Sequence, residues 1–161
     1  MKIPQADDVA RIIDIPLAIA QGANTAIDIS NRYDFDRRQA LYYMQATELL
    51  GLVARRGARF LLSALGHRYI KLTQPQRKEL VVRRILSLPI VQIILQELLI
   101  SPIHRVSRNQ IEHLAASRSG ISGTTIARRV QSLFSWFAWL GEETDVFIVS
   151  KEAVALREYS T

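Results

Sequence analysis

Apolar positions along the chain recur mainly with helical spacing. Between positions 9 and 20 they follow the i, i+3, i+4 pattern of an amphipathic helix, with Asp7 and Asp8 suited to its positive N-terminal end and Pro16 as a candidate bend. Further helices are predicted over 26–32, 37–50 and 64–71, with Thr25 and Asp36 as N-caps. Gly51 is expected to end the third helix.

The second half of the chain repeats this alternation. Helices are predicted over 76–88, 90–100, 109–116 and 124–139, with Ser107 as an N-cap and Gly141 as the end of the last of them. The residues 151–159 are predicted to form a terminal helix. Two β segments interrupt the helices, a pair of short strands within 52–62 around a Gly-containing turn and one strand over 146–149.

Each half therefore predicts helix, short helix, turn, longer helix, glycine and β segments, which is the order of a winged helix-turn-helix. We expect a mainly α fold with short β hairpins, built as a tandem winged helix-turn-helix with units at 1–73 and 74–161. A shift of 90 residues superposes the two long helices, with Arg38 on Arg128 and Leu49-Leu50-Gly51 on Trp139-Leu140-Gly141. This points to an internal duplication.

The positive charge is concentrated in the middle of the chain. The whole chain has a net charge of +6, yet residues 51–87 contain 9 basic and one acidic side chain, while residues 1–50 have a net charge of −2 and residues 88–161 of zero. A localised positive patch favours a polyanionic partner, such as nucleic acid.

Composition and spacing argue against an enzyme. The chain has no cysteine, and its three histidines, His67, His104 and His113, share no metal-ligand spacing. No phosphate-binding glycine loop, nucleophile elbow or nuclease carboxylate motif is found, so no catalytic residue, metal or cofactor is expected. No signal peptide is recognised, and the most apolar stretch, 86–100, is too short and polar to cross a bilayer. We expect a cytoplasmic protein without membrane contact.

The first long helix carries side chains that can read DNA. In a helix-turn-helix, the N-terminal residues of the second helix meet base edges in the major groove. Here the candidates are Arg37, Arg38, Gln39, Tyr42 and Gln45, and positions 38, 42 and 45 share one helical face. Arginine and glutamine match guanine and adenine edges. The alternative is that Arg37 and Arg38 form surface ion pairs with Asp34 or Asp36.

The turn after this helix is strongly basic. Arg55, Arg56 and Arg59 surround Gly57 on one predicted wing, where like charges repel unless phosphates lie nearby. In the second unit, Thr124, Thr125, Arg128 and Arg129 begin the matching helix and suit phosphate oxygens. The wing position of that unit is instead predicted to be acidic, at 142–145, which would repel DNA.

The segments from Phe35 to Val53 and from Gly123 to Gly141 resemble paired winged-helix DNA-recognition modules of prokaryotic restriction and defence proteins. The segment Ser63-Ala64-Leu65-Gly66 resembles the helix that often follows the wing in those modules. The winged helices of transcription regulators are similar. The resemblance implies a restriction-modification recognition part without its nuclease, or a regulator.

The sequence therefore favours a protein that binds double-stranded DNA, with a homodimer or a larger nuclease or regulatory protein as further partners. The alternative is a winged-helix protein–protein interaction module, which the acidic second wing and the many aromatic residues would suit. A third interpretation is the binding of RNA or single strands through Tyr42, Tyr43 and the wing arginines.

Overall fold

The computed structural model describes residues 1–158, and this part of the chain is mainly helical with five short strands. The helices are α1 (Val9–Ala20), α2 (Ala26–Tyr33), α3 (Arg37–Leu49), α4 (Ala64–Tyr69), α5 (Gln74–Leu86), α6 (Pro89–Ile100), α7 (Arg108–Ser119) and α8 (Thr124–Thr144). The strands are β1 (Val53–Arg56), β2 (Arg59–Leu62), β3 (Arg105–Ser107), β4 (Phe147–Val149) and β5 (Ala153–Leu156).

The chain divides into two compact units. The N-terminal unit is Pro4–Ile85, and the C-terminal unit comprises Met1–Ile3 and the described residues from Leu86 onward. The division lies between Ile85 and Leu86, at the last residue of α5, and not at 73/74, because α5 is hydrogen-bonded to the elements before it. Arg77 donates to the Ile70 carbonyl at 2.8 Å, and Arg84 donates to the Leu50 carbonyl at 2.9 Å.

The N-terminal unit packs α1, α2 and α3 against the β1–β2 hairpin. Its core includes Ile15, Ile29, Met44, Val53 and Phe60, all at most 3% exposed. Burial of these side chains, at about 25 cal/mol per Å² of apolar surface, is the main stabilising term. Pro16 lies inside α1 without dividing it.

Thr25 pairs with the free edge of this two-stranded sheet and caps the start of α2. Its side chain accepts a hydrogen bond from the Asp28 amide at 3.2 Å, and Asp28 in turn accepts from the Thr25 amide at 3.2 Å, which makes a capping box. Thr25 also forms an isolated antiparallel bridge with Arg59. The β2 strand therefore has β1 on one side and Thr25 on the other.

The C-terminal unit repeats this order with a true third strand. Its sheet has the order β3-β5-β4 with both pairs antiparallel, and Ser107 in β3 lies opposite Ala153 in β5. Ser107 also caps α7 through a capping box with Gln110. The helices α7 and α8 pack together, and the Phe137 and Phe147 rings meet edge to face at 5.2 Å.

Two sequence-based predictions for the ends of helices in this unit are wrong, and one strand has no counterpart among the predictions. Gly141 does not end a helix, since α8 continues to Thr144 and ends at Asp145, which has the left-handed φ of 58°. The predicted terminal helix over 151–159 is instead a turn followed by β5, and position 159 lies outside the described residues. The strand β3 was not predicted, because three residues with one buried side chain carry no pattern of their own.

The predicted acidic wing at 142–145 is also wrong, because α8 is longer than predicted. Glu142, Glu143 and Thr144 form the last turn of α8, so they do not form a hairpin tip. The turn between β4 and β5 is Ser150-Lys151-Glu152, which contains one basic and one acidic residue. The tip of this hairpin is therefore not the acidic segment that would repel DNA.

Candidate nucleic-acid interface

The outward face of α3 carries Arg38, Tyr42 and Gln45. At 100° per residue these three side chains point away from Ala40 and Met44, which are fully buried in the core. Arg37, Arg38 and Gln39 are exposed, while Tyr42 and Gln45 are half-buried. The face predicted from spacing therefore lies opposite Ala40 and Met44, and Arg38 is its exposed side chain.

Arg38 is held by Tyr42. Its Nε donates to the Tyr42 hydroxyl at 2.6 Å, and the guanidinium carbon lies 5.7 Å from the ring centroid. Within residues 1–158, neither Arg37 nor Arg38 forms an ion pair with Asp34 or Asp36, and Asp36 instead caps α3 by accepting from the Gln39 amide at 2.8 Å. The ion-pair alternative for these two arginines is thus not what the structure contains.

Tyr43 has a structural task. Its ring stacks on Phe35 at 4.8 Å, and its hydroxyl accepts a hydrogen bond from the Asp8 amide at 3.1 Å. Burial raises the pKa of Tyr43 above its ordinary value. The side chain fastens the start of α1 to α3, which leaves Tyr42 as the tyrosine on the outward face.

The β1–β2 hairpin, which we call the first hairpin, turns through Gly57 and Ala58. Gly57 has a φ of 60°, and Ala58 is not among the described residues with positive φ, which fits a turn with glycine at its first central position. Arg56 lies directly opposite Arg59 in the strand register. Because successive residues alternate between faces, these two arginines share the outer face, and Val53 and Phe60 lie buried on the inner one.

The third arginine of this hairpin is used internally. Arg55 Nε donates to the Gly57 carbonyl at 3.1 Å, and its guanidinium carbon lies 5.5 Å from the Phe60 ring. The Arg55 amide donates to a Glu48 carboxylate oxygen at 3.1 Å, which ties the hairpin to the end of α3. Arg56 and Arg59 make no such side-chain contact within the described residues, and both are exposed.

The remaining predicted residues lie in the C-terminal unit, at the start of α8. Thr124 and Thr125 are exposed in its first turn, and no side chain caps that end of the helix. Arg128 is exposed, whereas Arg129 is half-buried, with its Nε buried and lacking a hydrogen-bond partner. The two neighbouring arginines therefore point to different surroundings.

Sequence reasoning missed Arg108 and Lys151. Arg108 Nε donates to the Lys151 carbonyl at 2.7 Å across a separation of 43 residues, and its guanidinium carbon lies 3.9 Å from the Phe134 ring. A second guanidinium nitrogen donates to Gln131 Oε1 on α8 at 3.2 Å. No local signal reveals this contact, because the two residues are 43 positions apart in the sequence.

Two further observations concern other kinds of site. In the part of the chain that the structure describes, no three histidine or carboxylate side chains come together as a group that could hold a metal ion. None of the described helices is both long and apolar enough to cross a membrane.

The chain belongs to a protein family described as a domain of unknown function, DUF7226, which matches residues 11–145. The match runs through both units. Comparison with curated proteins and with solved structures gave no match.

Proposed function

We propose that this protein is a non-catalytic duplex-DNA-binding protein made of two winged helix-turn-helix units. The topology supports the proposal, since each unit has helix, pairing segment, helix, longer helix and hairpin in that order. In each unit the segment before the second helix pairs with the last strand of the hairpin, through Thr25 and Arg59 or through Ser107 and Ala153.

The observation that carries the function is the opposed pair Arg56 and Arg59. Like charges directly opposite each other on neighbouring strands destabilise a sheet, so the pair costs folding energy unless an anion binds there. The hairpin is fixed by Glu48 to α3, whose outward face presents Arg38 and Gln45. A helix that offers forked donors beside a cationic hairpin suits base edges and phosphates of one duplex.

Each part of this surface has a proposed role. Arg38 and Gln45 read base edges in the major groove, with Tyr42 holding Arg38 in place, and Arg37 and Gln39 contact the flanking backbone. Arg56 and Arg59 contact phosphates, and Arg55 shapes the turn that presents them. In the C-terminal unit, the proposal extends to the residues that begin α8, namely Thr124, Thr125, Arg128 and Arg129.

The test uses the full chain and a short random-sequence duplex over a range of salt concentrations. The double variant R56A/R59A should lower the salt slope, log K against log salt, by about 2 and weaken binding to all sequences alike. Because the substitutions remove an opposed like-charge pair, the unfolding free energy of the double variant should rise by a few tenths of a kcal/mol. Weak binding can then not be attributed to misfolding.

A matched control removes two exposed charges elsewhere in the same unit. The variant K71A/R83A has the same charge change, and Arg83 already has a partner in Glu79 at 2.6 Å. It should keep the wild-type salt slope. The proposal fails if the wild-type protein does not retain duplex at low salt, or if both double variants lose the same slope.

Specificity is tested separately by selection from random duplexes. Arg38→Ala should broaden the selected sequences, because one bidentate contact contributes about 1–3 kcal/mol of discrimination. Tyr42→Phe keeps the ring but removes the hydroxyl that receives the Arg38 Nε, so it should broaden the same position by less. An unchanged selection with Arg38→Ala would remove that residue from the interface.

The second candidate is a protein–protein interaction module, which one observation favours. Leu99, Ile100 and Ile103 lie together in sequence at the end of α6 and are 68%, 75% and 67% exposed. Large exposed apolar groups that follow one another in this way are typical of interaction surfaces. The variant L99S/I103S should change the oligomeric state in solution if this surface joins two copies, and should leave duplex binding by each copy intact.

We propose a recognition module or transcription regulator in the cytoplasm as the setting of this activity. A role in restriction-modification, with a nuclease as a separate partner, rests on the resemblance of the α3 and α8 segments alone.

A further inference from the structure

In the C-terminal unit, three elements are joined by one side chain. Arg108, the first residue of α7, donates from Nε to the Lys151 carbonyl and from a terminal nitrogen to Gln131 on α8. Its guanidinium lies over the Phe134 ring, with 3.9 Å between the guanidinium carbon and the ring centroid. The hydrogen bond to Lys151 is charge-assisted, which makes it stronger than one between neutral groups.

The turn between β4 and β5, the tip of what we call the second hairpin, is fixed from several sides. The Arg108 amide donates to the Glu152 carbonyl at 2.7 Å, so Arg108 holds the turn through its main chain as well. Ser150 Oγ accepts from the Glu152 amide at 3.3 Å and from the Ala153 amide at 3.2 Å. The Lys151 and Glu152 carbonyls and the Glu152 and Ala153 amides of this turn are thus all hydrogen-bonded.

Two cationic side chains and one acidic side chain lie at this fixed turn, namely Lys151, Arg108 and Glu152. Lys151 is exposed, and Arg108 joins the turn to Gln131, which is exposed on the same helix as Arg128, three residues earlier. The acidic group of the turn is Glu152. Because the Lys151 backbone is already ordered, binding an anion there costs less conformational entropy than ordering a mobile loop would.

We infer that the C-terminal unit has its own phosphate-contacting surface for duplex DNA, formed by Lys151 in the second hairpin and Arg128 on α8, with Arg108 as the positioning residue. The inference rests on the proposed function of the whole chain. It puts Lys151 at the hairpin tip of the second unit, where the sequence predicts an acidic wing at 142–145 that would repel DNA.

The first test measures the salt slope of the full chain with Lys151→Ala on a random-sequence duplex. One lost phosphate contact should lower the slope by about 1 and weaken binding to all sequences to the same extent. Arg105→Ala is the matched control, since Arg105 is exposed in the same unit. It pairs with Ala155, which is two residues farther from the turn than Ala153, the first residue of β5. That control should keep the wild-type slope.

The second test separates positioning from charge. Arg108→Lys keeps the positive charge but cannot hold the Lys151 carbonyl and Gln131 together, as the guanidinium fork does. It should lower the slope as Lys151→Ala does, and the double variant R108K/K151A should fall no further than either single variant. Such non-additivity would place both residues in one contact.

The outcomes distinguish the two levels of the argument. If the wild-type chain binds duplex and Lys151→Ala keeps the full slope, the second surface does not exist, while the first unit remains a DNA-binding unit. If Arg105→Ala lowers the slope as much as Lys151→Ala, the effect is one of net charge, and the inference is equally overturned. If the wild-type chain does not bind duplex at all, the proposed function fails, and this inference fails with it.

Discussion

In both hairpins an arginine Nε holds a turn carbonyl while the guanidinium lies over a phenylalanine ring. In the first hairpin the arginine is Arg55, from the hairpin's own strand, at 5.5 Å from the ring centroid of Phe60. In the second hairpin it is Arg108, from α7, at 3.9 Å from that of Phe134. The same kind of contact therefore forms between residues 2 positions apart in the first hairpin and 43 positions apart in the second.

The difference lies in what each hairpin leaves exposed. The first presents Arg56 and Arg59 in an opposed pair, whereas the turn of the second presents Lys151 next to Glu152. A pair of opposed cations destabilises the isolated strands more than one cation beside an anion does. The first hairpin therefore concentrates positive charge, whereas the second has the more firmly held turn.

The largest expected effect concerns a glycine in each unit. A Cβ at Gly66 would lie 2.0 Å from the Leu52 carbonyl oxygen, and one at Gly141 would lie 2.7 Å from the Phe147 carbonyl oxygen. Since backbone must move in both cases, Gly66→Ala should lower the unfolding free energy by about 3 kcal/mol or more and Gly141→Ala by about 1–3 kcal/mol. Urea unfolding midpoints check the order.

The control for these glycines is Ala64→Ser, an exposed position in α4. It should change the unfolding free energy by less than about 0.5 kcal/mol. An unfolding curve of Gly66→Ala equal to that of the wild type would contradict the close approach of α4 to the Leu52 carbonyl.

The arginines that hold the turns should differ in what they contribute to stability. Arg108→Met removes two hydrogen bonds and a close ring contact at a half-buried site, so it should lower the unfolding free energy by about 1–3 kcal/mol. Arg55→Met removes one side-chain hydrogen bond at an exposed site and should cost about 0.5 kcal/mol. Equal losses of unfolding free energy in thermal or urea unfolding would contradict the expectation that the closer, half-buried Arg108 contact contributes more than the Arg55 contact.

Effects smaller than that of Arg108→Met are expected at the two capping boxes, where the units are alike. Thr25 and Ser107 each cap the helix after the pairing segment, with acceptor distances of 3.2 and 3.1 Å from the amides of Asp28 and Gln110. Thr25→Ala and Ser107→Ala should each cost about 1 kcal/mol. Thr25→Ser and Ser107→Thr keep the hydroxyl acceptor and should retain most of the wild-type stability. If either alanine variant is as stable as the wild type, that cap does not contribute to the unfolding free energy.

The fixed shift of 90 residues does not describe how the units correspond. The capping residues Thr25 and Ser107 are 82 positions apart, while the strand partners Arg59 and Ala153 are 94 apart. The difference arises because both helices between these positions are longer in the C-terminal unit: α7 has 12 residues against 8 in α2, and α8 has 21 against 13 in α3.

The sequence alone determined the features that depend on neighbours in the chain. Thr25, Asp36 and Ser107 cap helices as predicted, because the acceptor and the amide it meets are three residues apart. The first hairpin also follows from its glycine turn, and the outward face of α3 follows from helical periodicity.

Only the tertiary structure decided the course of the chain after α8. Glycine is a residue typical of helix ends, but Gly141 lies inside α8, which runs on to Thr144. The lack of a side chain at Gly141 lets the Phe147 carbonyl approach the helix closely. The strands β3 and β5 are too short to be stable alone and exist because they pair with each other. The same holds for Arg108 and Lys151, which are 43 residues apart and meet only once the sheet has formed.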